Sequence, residues 1–280
     1  GVVGATQHHG SALSFLNILD ADAAWRTAGD FEGPTVSIVK HATPCGLASH
    51  PNQAEAYRRA LAGDPVSAFG GIVGFNQTVD METAEAMRGI LYDVIVAPDY
   101  DPEALALLRK RRNTRILAVN QVLNLTNIEA ADVRTVSGGF LVQSHDQLPP
   151  NPLNWKSVTS HAPNEAQMKD LVFAWKAVKH IKSNAIVLVK DQAIVGMGAG
   201  QPNRVTSVHL SLRSAGVEAT GSVLASDAFF PFPDGVETAI QGGITAIVQP
   251  GGSIRDDDVI AAAAAGGISM LLTGVRHFRH

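Results

Sequence analysis

Thr35-Val36-Ser37-Ile38-Val39-Lys40-His41-Ala42-Thr43-Pro44-Cys45-Gly46 is the stretch around which the chain is organised. Residues 35–39 are apolar and mostly β-branched, the pattern of a buried strand. Pro44 and Gly46 then predict a turn. A cation and an imidazole therefore sit side by side where a central strand ends, and sites in α/β folds open at such ends. Lysine is rarely buried without a partner or a task, and histidine is the side chain best suited to taking a proton near neutral pH. Two polar residues on their way to solvent would leave the same pattern, so this stretch alone gives even weight to both readings.

Bulk properties narrow the field. A chain of 280 residues can bury a large core and hold two subdomains. Its 45% hydrophobic and 17% charged residues are globular values. A net charge of −4 gives no reason to expect nucleic acid or an anionic membrane as partner. The single cysteine, Cys45, excludes an internal disulfide and points to a reducing compartment. The first residues lack a basic region followed by an apolar run, so they do not read as a secretory signal. The chain does not begin with Met, which leads us to expect an upstream piece.

Strand and helix patterns alternate along the chain, arguing for α/β layers on a parallel or mixed sheet. Ser14–Asp22 leads into a short helix carrying Trp25. Asn52–Ala62 reads as a helix stopped at Gly63-Asp64-Pro65. Val66–Gly74 reads as a strand, Asp80 caps a helix to about Tyr92, and Asp93–Pro98 and Arg115–Val119 are further strands. Asp101 and Pro102 form a cap pair for a helix over Glu103–Arg112. The proline-rich joint from Gln147 to Pro163 sets the subdomain boundary, giving units 1–150 and 151–280. Asn164 caps a long helix whose apolar stripe (Met168, Leu171, Val172, Trp175, Val178, Ile181) is core. A strand pair, Ala185–Val189 and Ala193–Met197, follows. Asp64–Gly70 is similar to Ala225–Phe230, and Asp93–Pro98 to Ala246–Pro250. We read two related subdomains, although echoes this short also arise from recurring strand chemistry. The Val259–Val275 stretch, broken by Gly266-Gly267, reads as helix, turn and buried strand, not as a membrane span.

Several constellations have competing readings. Gly196, Gly198 and Gly200 follow a strand but miss the spacing of a dinucleotide fingerprint, so ligand approach and a tight turn remain equal alternatives. In Gln249–Asp256 the backbone N–H groups could hold an anion, or Asp256 could cap the next helix. His41 with Pro44-Cys45 faintly resembles a zinc-deaminase ligand set, but the further cysteines and the glutamate are missing, so zinc is not expected. The cationic end Arg276-His277-Phe278-Arg279-His280 follows an apolar strand, a placement suited to phosphate binding.

Taken together, the blocks KHxxPCG from Lys40, SDAFFPF from Ser226 and QPGGSxRD from Gln249 resemble one family. It is the transformylase domain of the bifunctional purine biosynthesis proteins, and Pro233-Asp234-Gly235 is similar to actinobacterial versions. The similarity covers nearly the whole chain in the family's order. It implies a duplicated cytidine-deaminase-like α/β fold without zinc, and a cytoplasmic homodimer whose sites lie at the interface. The implied activity moves the formyl group of 10-formyltetrahydrofolate to the amine of 5-aminoimidazole-4-carboxamide ribonucleotide (AICAR) in purine (IMP) biosynthesis.

Residue by residue, the resemblance makes His41 the general base, Lys40 its partner at the developing charge, and Asn184 the group beside formyl and carboxamide. It places Asn17, Arg204 and Phe229 around AICAR, Arg276 at its phosphate, and Phe69, Asp93 and Asp234 around the folate or the catalytic wall. Asp227 and His280 would lie near a monovalent cation such as potassium. Two departures stand out. Thr43 stands where many members carry Asn. The family's upstream Arg-Tyr-Gly-x-Asn-Pro-His-Gln stretch, whose arginine meets substrate, and its N-terminal cyclohydrolase domain are expected to be absent here. The alternatives are a truncated, weakly active or inactive dimerising fragment, and a nucleotide-binding module without catalysis.

Overall fold

A computed structural model describes residues 1–119, 131–147 and 154–280. The chain enters through strand β1 (Thr6–His9) and helix α1 (Phe15–Gly29). Ser14 and Asn17 start α1 with a reciprocal capping box, each side chain accepting the other's backbone N–H. Strands β2 (Thr35–Lys40) and β3 (Thr43–Ser49) form a hairpin. Helices α2 (Gln53–Gly63) and α3 (Pro65–Ala68) lead to β4 (Gly71–Phe75), α4 (Met81–Ala86), β5 (Tyr92–Ala97), α5 (Pro102–Leu108) and β6 (Arg115–Ala118). A separate hairpin, β7 (Ala131–Val136) with β8 (Gly139–Ser144), precedes the short strand β9 (Lys156–Ser157).

The second half runs α6 (Glu165–Val178), β10 (Ile186–Lys190), β11 (Ala193–Gly198), α7 (Arg204–Ala215), β12 (Val223–Ser226), α8 (Asp234–Gln241), β13 (Ala246–Gln249), α9 (Asp256–Ala265) and β14 (Ser269–Leu272). Twelve strands join into one mixed sheet, in the order β1-β6-β5-β4-β2-β3-β11-β10-β12-β13-β14-β9. Outward from the β3–β11 seam, each side presents a hairpin partner, three mutually parallel strands and a short antiparallel edge strand. Helices cover both faces. Trp25 and Ala24 on α1 pack on Val39, Ile72 and Val94, while Tyr57 and Ala60 on α2 pack on Val36, Ile38 and Val73 from the other side. Successive strand residues point to opposite faces, so this alternation buries both.

Several sequence expectations change. The turn falls at His41-Ala42, and Pro44 and Gly46 lie inside β3. The pairing shifts between Ile38↔Gly46 and Val39↔Pro44, so Cys45 is the extra residue of a β-bulge, a position where a sheet tolerates proline. Gly46 is required by packing, since a Cβ there would lie 2.1 Å from Ala60 O on α2. Residues 65–68 are helical and the strand starts only at Gly71. Helix α4 stops at Ala86 and α5 at Leu108, while α1 extends to Gly29. Asp101 precedes α5 without a side-chain cap bond. Of the two internal echoes, Asp93–Pro98 and Ala246–Pro250 do fall on corresponding strands, β5 and β13. The other pairs α3 with the end of β12 and is out of register. The proposed boundary at residue 150 lies outside the described residues.

Candidate active site

Two polar clusters meet one edge of the sheet. The first is the β2–β3 tip. His41 and Ala42 both adopt positive φ, +55° and +58°, the conformation of a hairpin turn that favours Asn-Gly. For residues with a Cβ this costs on the order of 1 kcal/mol each. It is held by Asp20 on α1, whose carboxylate accepts His41 N–H at 3.0 Å and Ala42 N–H at 2.8 Å. Lys40 Nζ donates to Phe69 O at 2.7 Å. That acceptor is neutral, and among the described residues no carboxylate lies within salt-bridge distance of this ammonium. His41 and the Phe69 ring are exposed. Asn17 lies one turn before Asp20 and is half-buried. Asp93 is exposed near the start of β5, and Gly71↔Tyr92 pairing puts it at the same edge as Phe69.

The second cluster is built on β10, β12 and α7. Arg204, the first residue of α7, is 7% exposed and Asp227 is 1% exposed. The Arg204 guanidinium donates to Asp227 Oδ1, to Ser226 Oγ at 2.7 Å and to Asn184 Oδ1 at 2.7 Å. Asn184 Nδ2 donates to Gln201 O at 2.8 Å, and Ser207 Oγ donates to Asn184 O at 2.8 Å. Ser183 Oγ donates to Asp227 Oδ2. Asn184 is therefore fixed in orientation, with one amide N–H engaged and a second to offer. A buried ion pair of this kind is supported by the hydrogen bonds around it, from Ser183 to the carboxylate and from the guanidinium to Ser226 and Asn184. Phe229, partly exposed, follows Asp227 by two residues. The C-terminal segment crosses the same place: His277 N–H donates to Asp227 O at 2.9 Å, and Ser183 N–H to Arg279 O at 2.8 Å. Arg276, next to His277, is exposed with its guanidinium 5.1 Å from the centre of the Phe278 ring.

The register joins the clusters. Strand β11 pairs antiparallel with β3 (Ala193↔Ala48) and so runs toward the β2–β3 turn. Ile186↔Gly198 and Ile186↔Ser226 bring the start of β10 and the end of β12 to that edge. Within one chain β2 and β10 are three strand spacings apart, about 14 Å, and β2 and β12 about 19 Å. Asp234 begins α8, with its Oδ1 accepting Gly235 N–H, and His280 O accepts from Arg134. Neither is drawn into a cluster by a hydrogen bond among the described residues.

Other candidates resolve differently. Gly196 and Gly198 serve helix packing, since a Cβ would lie 2.3 Å from Ser211 O and 2.0 Å from Ser207 O. Asp256 accepts Gly252 and Ser253 N–H, so the Gln249–Asp256 turn is capped by its own carboxylate. Cys45 Sγ points inward to Ile38 O at 3.4 Å, and burial pushes its thiol up to about 12, which disfavours the thiolate a metal would need. Sequence reasoning missed Asp20, Ser183, Ser226 and Ser207. Asp20 was readable only by aligning the halves, because Asp170 stands in the same place before Trp175 as Asp20 before Trp25.

The family described as the AICARFT/IMPCHase bienzyme matches residues 1–214. The chain belongs to the AICARFT/IMPCHase family. It is 51% identical over its whole length to a bifunctional purine biosynthesis protein purH of Dictyostelium discoideum, of which it covers 53%. It is 50% identical over its whole length to the protein of the same name from a Thermoanaerobacter strain, covering 54% of it. Over 99% of its length it is 47% identical to that of Ligilactobacillus salivarius, again covering 54%. This AICARFT/IMPCHase chain thus spans about half the length of the curated relatives it matches. Among its described residues, no helix is long and apolar enough to cross a membrane.

Proposed function

We propose that this chain transfers the formyl group of 10-formyltetrahydrofolate to the 5-amino group of AICAR in purine biosynthesis. The observation that carries the reading is the β2–β3 tip, where His41 follows a lysine whose ammonium, among the described residues, is hydrogen-bonded to a neutral carbonyl and to no carboxylate. The AICAR amine is a weak nucleophile because ring and carboxamide delocalise its lone pair. It must lose a proton as it attacks the formyl carbon. His41 takes that proton, and Lys40 or the Asn184 amide steadies the tetrahedral oxyanion. Collapse of the adduct breaks the formyl C–N10 bond as N10 takes the proton back from His41 and leaves as tetrahydrofolate. Holding both substrates in one cleft removes much of the entropic barrier. Asn17, Arg204 and Phe229 line the AICAR position and Arg276 meets its phosphate. Phe69, Asp93 and Asp234 border the folate or form the catalytic wall.

The strand spacing supports a homodimer with shared sites. Within one chain the strands that carry the two clusters stand about 14–19 Å apart along the sheet edge, a wide span for one ribonucleotide to bridge. A partner chain would bring its own Arg204 cluster to this hairpin. The β7–β8 hairpin, exposed along both strands with Val133, Phe140, Leu141 and Val142, supplies apolar surface for such a partner. We further read the fold as a duplicated, cytidine-deaminase-like unit without zinc, divided at residues 150/151, and the protein as cytoplasmic. The matching strand order on either side of β3–β11 supports the duplication. No step is routed through potassium, because both Asp227 carboxylate oxygens are engaged by Arg204 and Ser183.

The test is tetrahydrofolate release, followed spectrophotometrically with AICAR present and omitted. AICAR-dependent release is expected. Saturable AICAR binding without release would leave a nucleotide-binding module and overturn the transfer reading.

A further inference from the structure

Both hairpins at the centre of the sheet carry the same device. Asp170 on α6 accepts Asp191 N–H at 3.0 Å and Gln192 N–H at 2.7 Å, and those residues have φ of +52° and +55°. Asp20 does the same to His41 and Ala42 at 3.0 and 2.8 Å, with φ of +55° and +58°. The lysine before each turn reaches a carbonyl across the sheet, Lys40 to Phe69 O and Lys190 to Thr220 O. Each hairpin has its β-bulge at the same point, after Ile38↔Gly46 and after Leu188↔Gly196. The backbone geometry of the tip therefore does not depend on what the tip carries.

From this we infer that Asp20 is a positioning residue for the reaction: it fixes the backbone of His41 and so aims the imidazole. The inference rests on the formyl-transfer reading. The carboxylate grips the amide of His41 itself and that of the next residue, and the His41 side chain is exposed. Without the clamp, two residues with Cβ atoms would leave the left-handed region for the commoner one, and the His41 Cα–Cβ bond would swing with them. A general base must lie within hydrogen-bond reach of its proton, and displacements near 1 Å cost on the order of a hundredfold. Asp20 touches no reacting atom in this account. Its effect belongs in kcat and not in AICAR affinity, which Arg204 and Arg276 carry.

The second half provides the control. Asp170→Ala removes an equivalent clamp from a hairpin with no imidazole. Asp20→Ala is expected to lower kcat on the order of 10- to 100-fold with the AICAR KM unchanged. Asp170→Ala should lower thermal stability by a similar amount and leave kcat at the wild-type value. Asp20→Asn, which keeps one acceptor for one N–H, should fall between, and it carries the test if Asp20→Ala does not fold. Hydrogen exchange at the His41 and Ala42 amides should accelerate in Asp20→Ala. Active wild-type protein with Asp20→Ala at wild-type kcat, or equal kcat losses in Asp20→Ala and Asp170→Ala, would overturn the positioning role. Wild-type protein that releases no tetrahydrofolate would instead overturn the transfer reading on which the role depends.

Discussion

At the β2–β3 tip the Lys40 ammonium meets, among the described residues, the carbonyl of Phe69 alone, whereas at the β10–β11 tip Lys190 also pairs with Glu218 at 3.2 Å. The turns between are alike, but one holds His41-Ala42 and the other Asp191-Gln192. The edges they face differ too. Opposite the first stands the start of α7 with buried Arg204, bonded to Asp227. At the start of α2 the corresponding residue is Gln53, also 7% exposed, with two hydrogen bonds of 3.1 and 3.4 Å to backbone carbonyls and an Oε1 that has no partner among the described residues. Where Asp227 follows β12, Asn76 follows β4 and ties down the backbone of Phe31, Gly33 and Thr35. Shared architecture thus builds a held turn and a reaching lysine twice. The first tip differs in carrying an imidazole where the second carries a carboxylate, and among the described residues its lysine has no carboxylate partner.

The largest expected effect separates the two tips by activity. His41→Ala should lower turnover by about 10²–10⁴-fold, the usual worth of a general base, while calorimetry still detects AICAR. Asp191→Ala should leave turnover unchanged. Loss of turnover in both would erase the contrast.

Next comes the contrast at the helix starts, read by urea denaturation. Arg204→Leu strands the Asp227 carboxylate in the interior and should cost about 3–5 kcal/mol. Gln53→Leu removes weak bonds and should cost no more than about 1 kcal/mol.

A smaller effect is pH-dependent and sits where the halves touch. His180 Nε2 lies 2.6 Å from Asp30 Oδ2, and Lys179 Nζ 2.8 Å from the same oxygen. Burial works against the Asp30 charge, but the His180 hydrogen bond and charge, and after them the Lys179 ammonium, outweigh it and hold the carboxyl at about 2. Burial holds the His180 imidazole below its ordinary value, against the opposing pull of the Asp30 carboxylate. Both shifts mean that the unfolded chain binds more protons in acid. Stability should begin to fall as pH drops through 6.5, from His180, and fall again by about 2 kcal/mol between pH 3.8 and about 2, from Asp30. Asp30→Asn should flatten the lower step in urea midpoints measured against pH.

The smallest effect tests equivalence itself. Asn52 and Asn203 cap α2 and α7, and replacing either by Ala should cost about 1 kcal/mol, to a similar extent in each.

Much of this was legible in the sequence, for identifiable reasons. Thr35–Val39 and Ala185–Val189 announce buried strands because β-branched runs fit a sheet covered on both faces. Asn52, Asp80 and Asn164 announce helix starts through their own side chains. The turn was misplaced because Pro44 reads as a breaker, and only pairing with Val39 shows that a bulge accommodates it. The glycines of β3 and β11 read as loop or ligand signals because the helix carbonyls against them are far away in sequence. Lys40 and His41 could be singled out by residue type. Asp20 could not, because its role is a pair of hydrogen bonds to backbone, which leave no mark on the residues that donate them.

The Asp30–His180 contact has one further consequence. The two positions follow α1 and α6 at the same distance from Trp25 and Trp175, so each is the other's counterpart. In an isologous dimer of half-length chains, a residue on the symmetry axis faces a copy of itself. Such an axis could hold two acids or two bases, never one of each. A single continuous polypeptide escapes that restriction: it can place a donor against an acceptor at its own centre, and this one does.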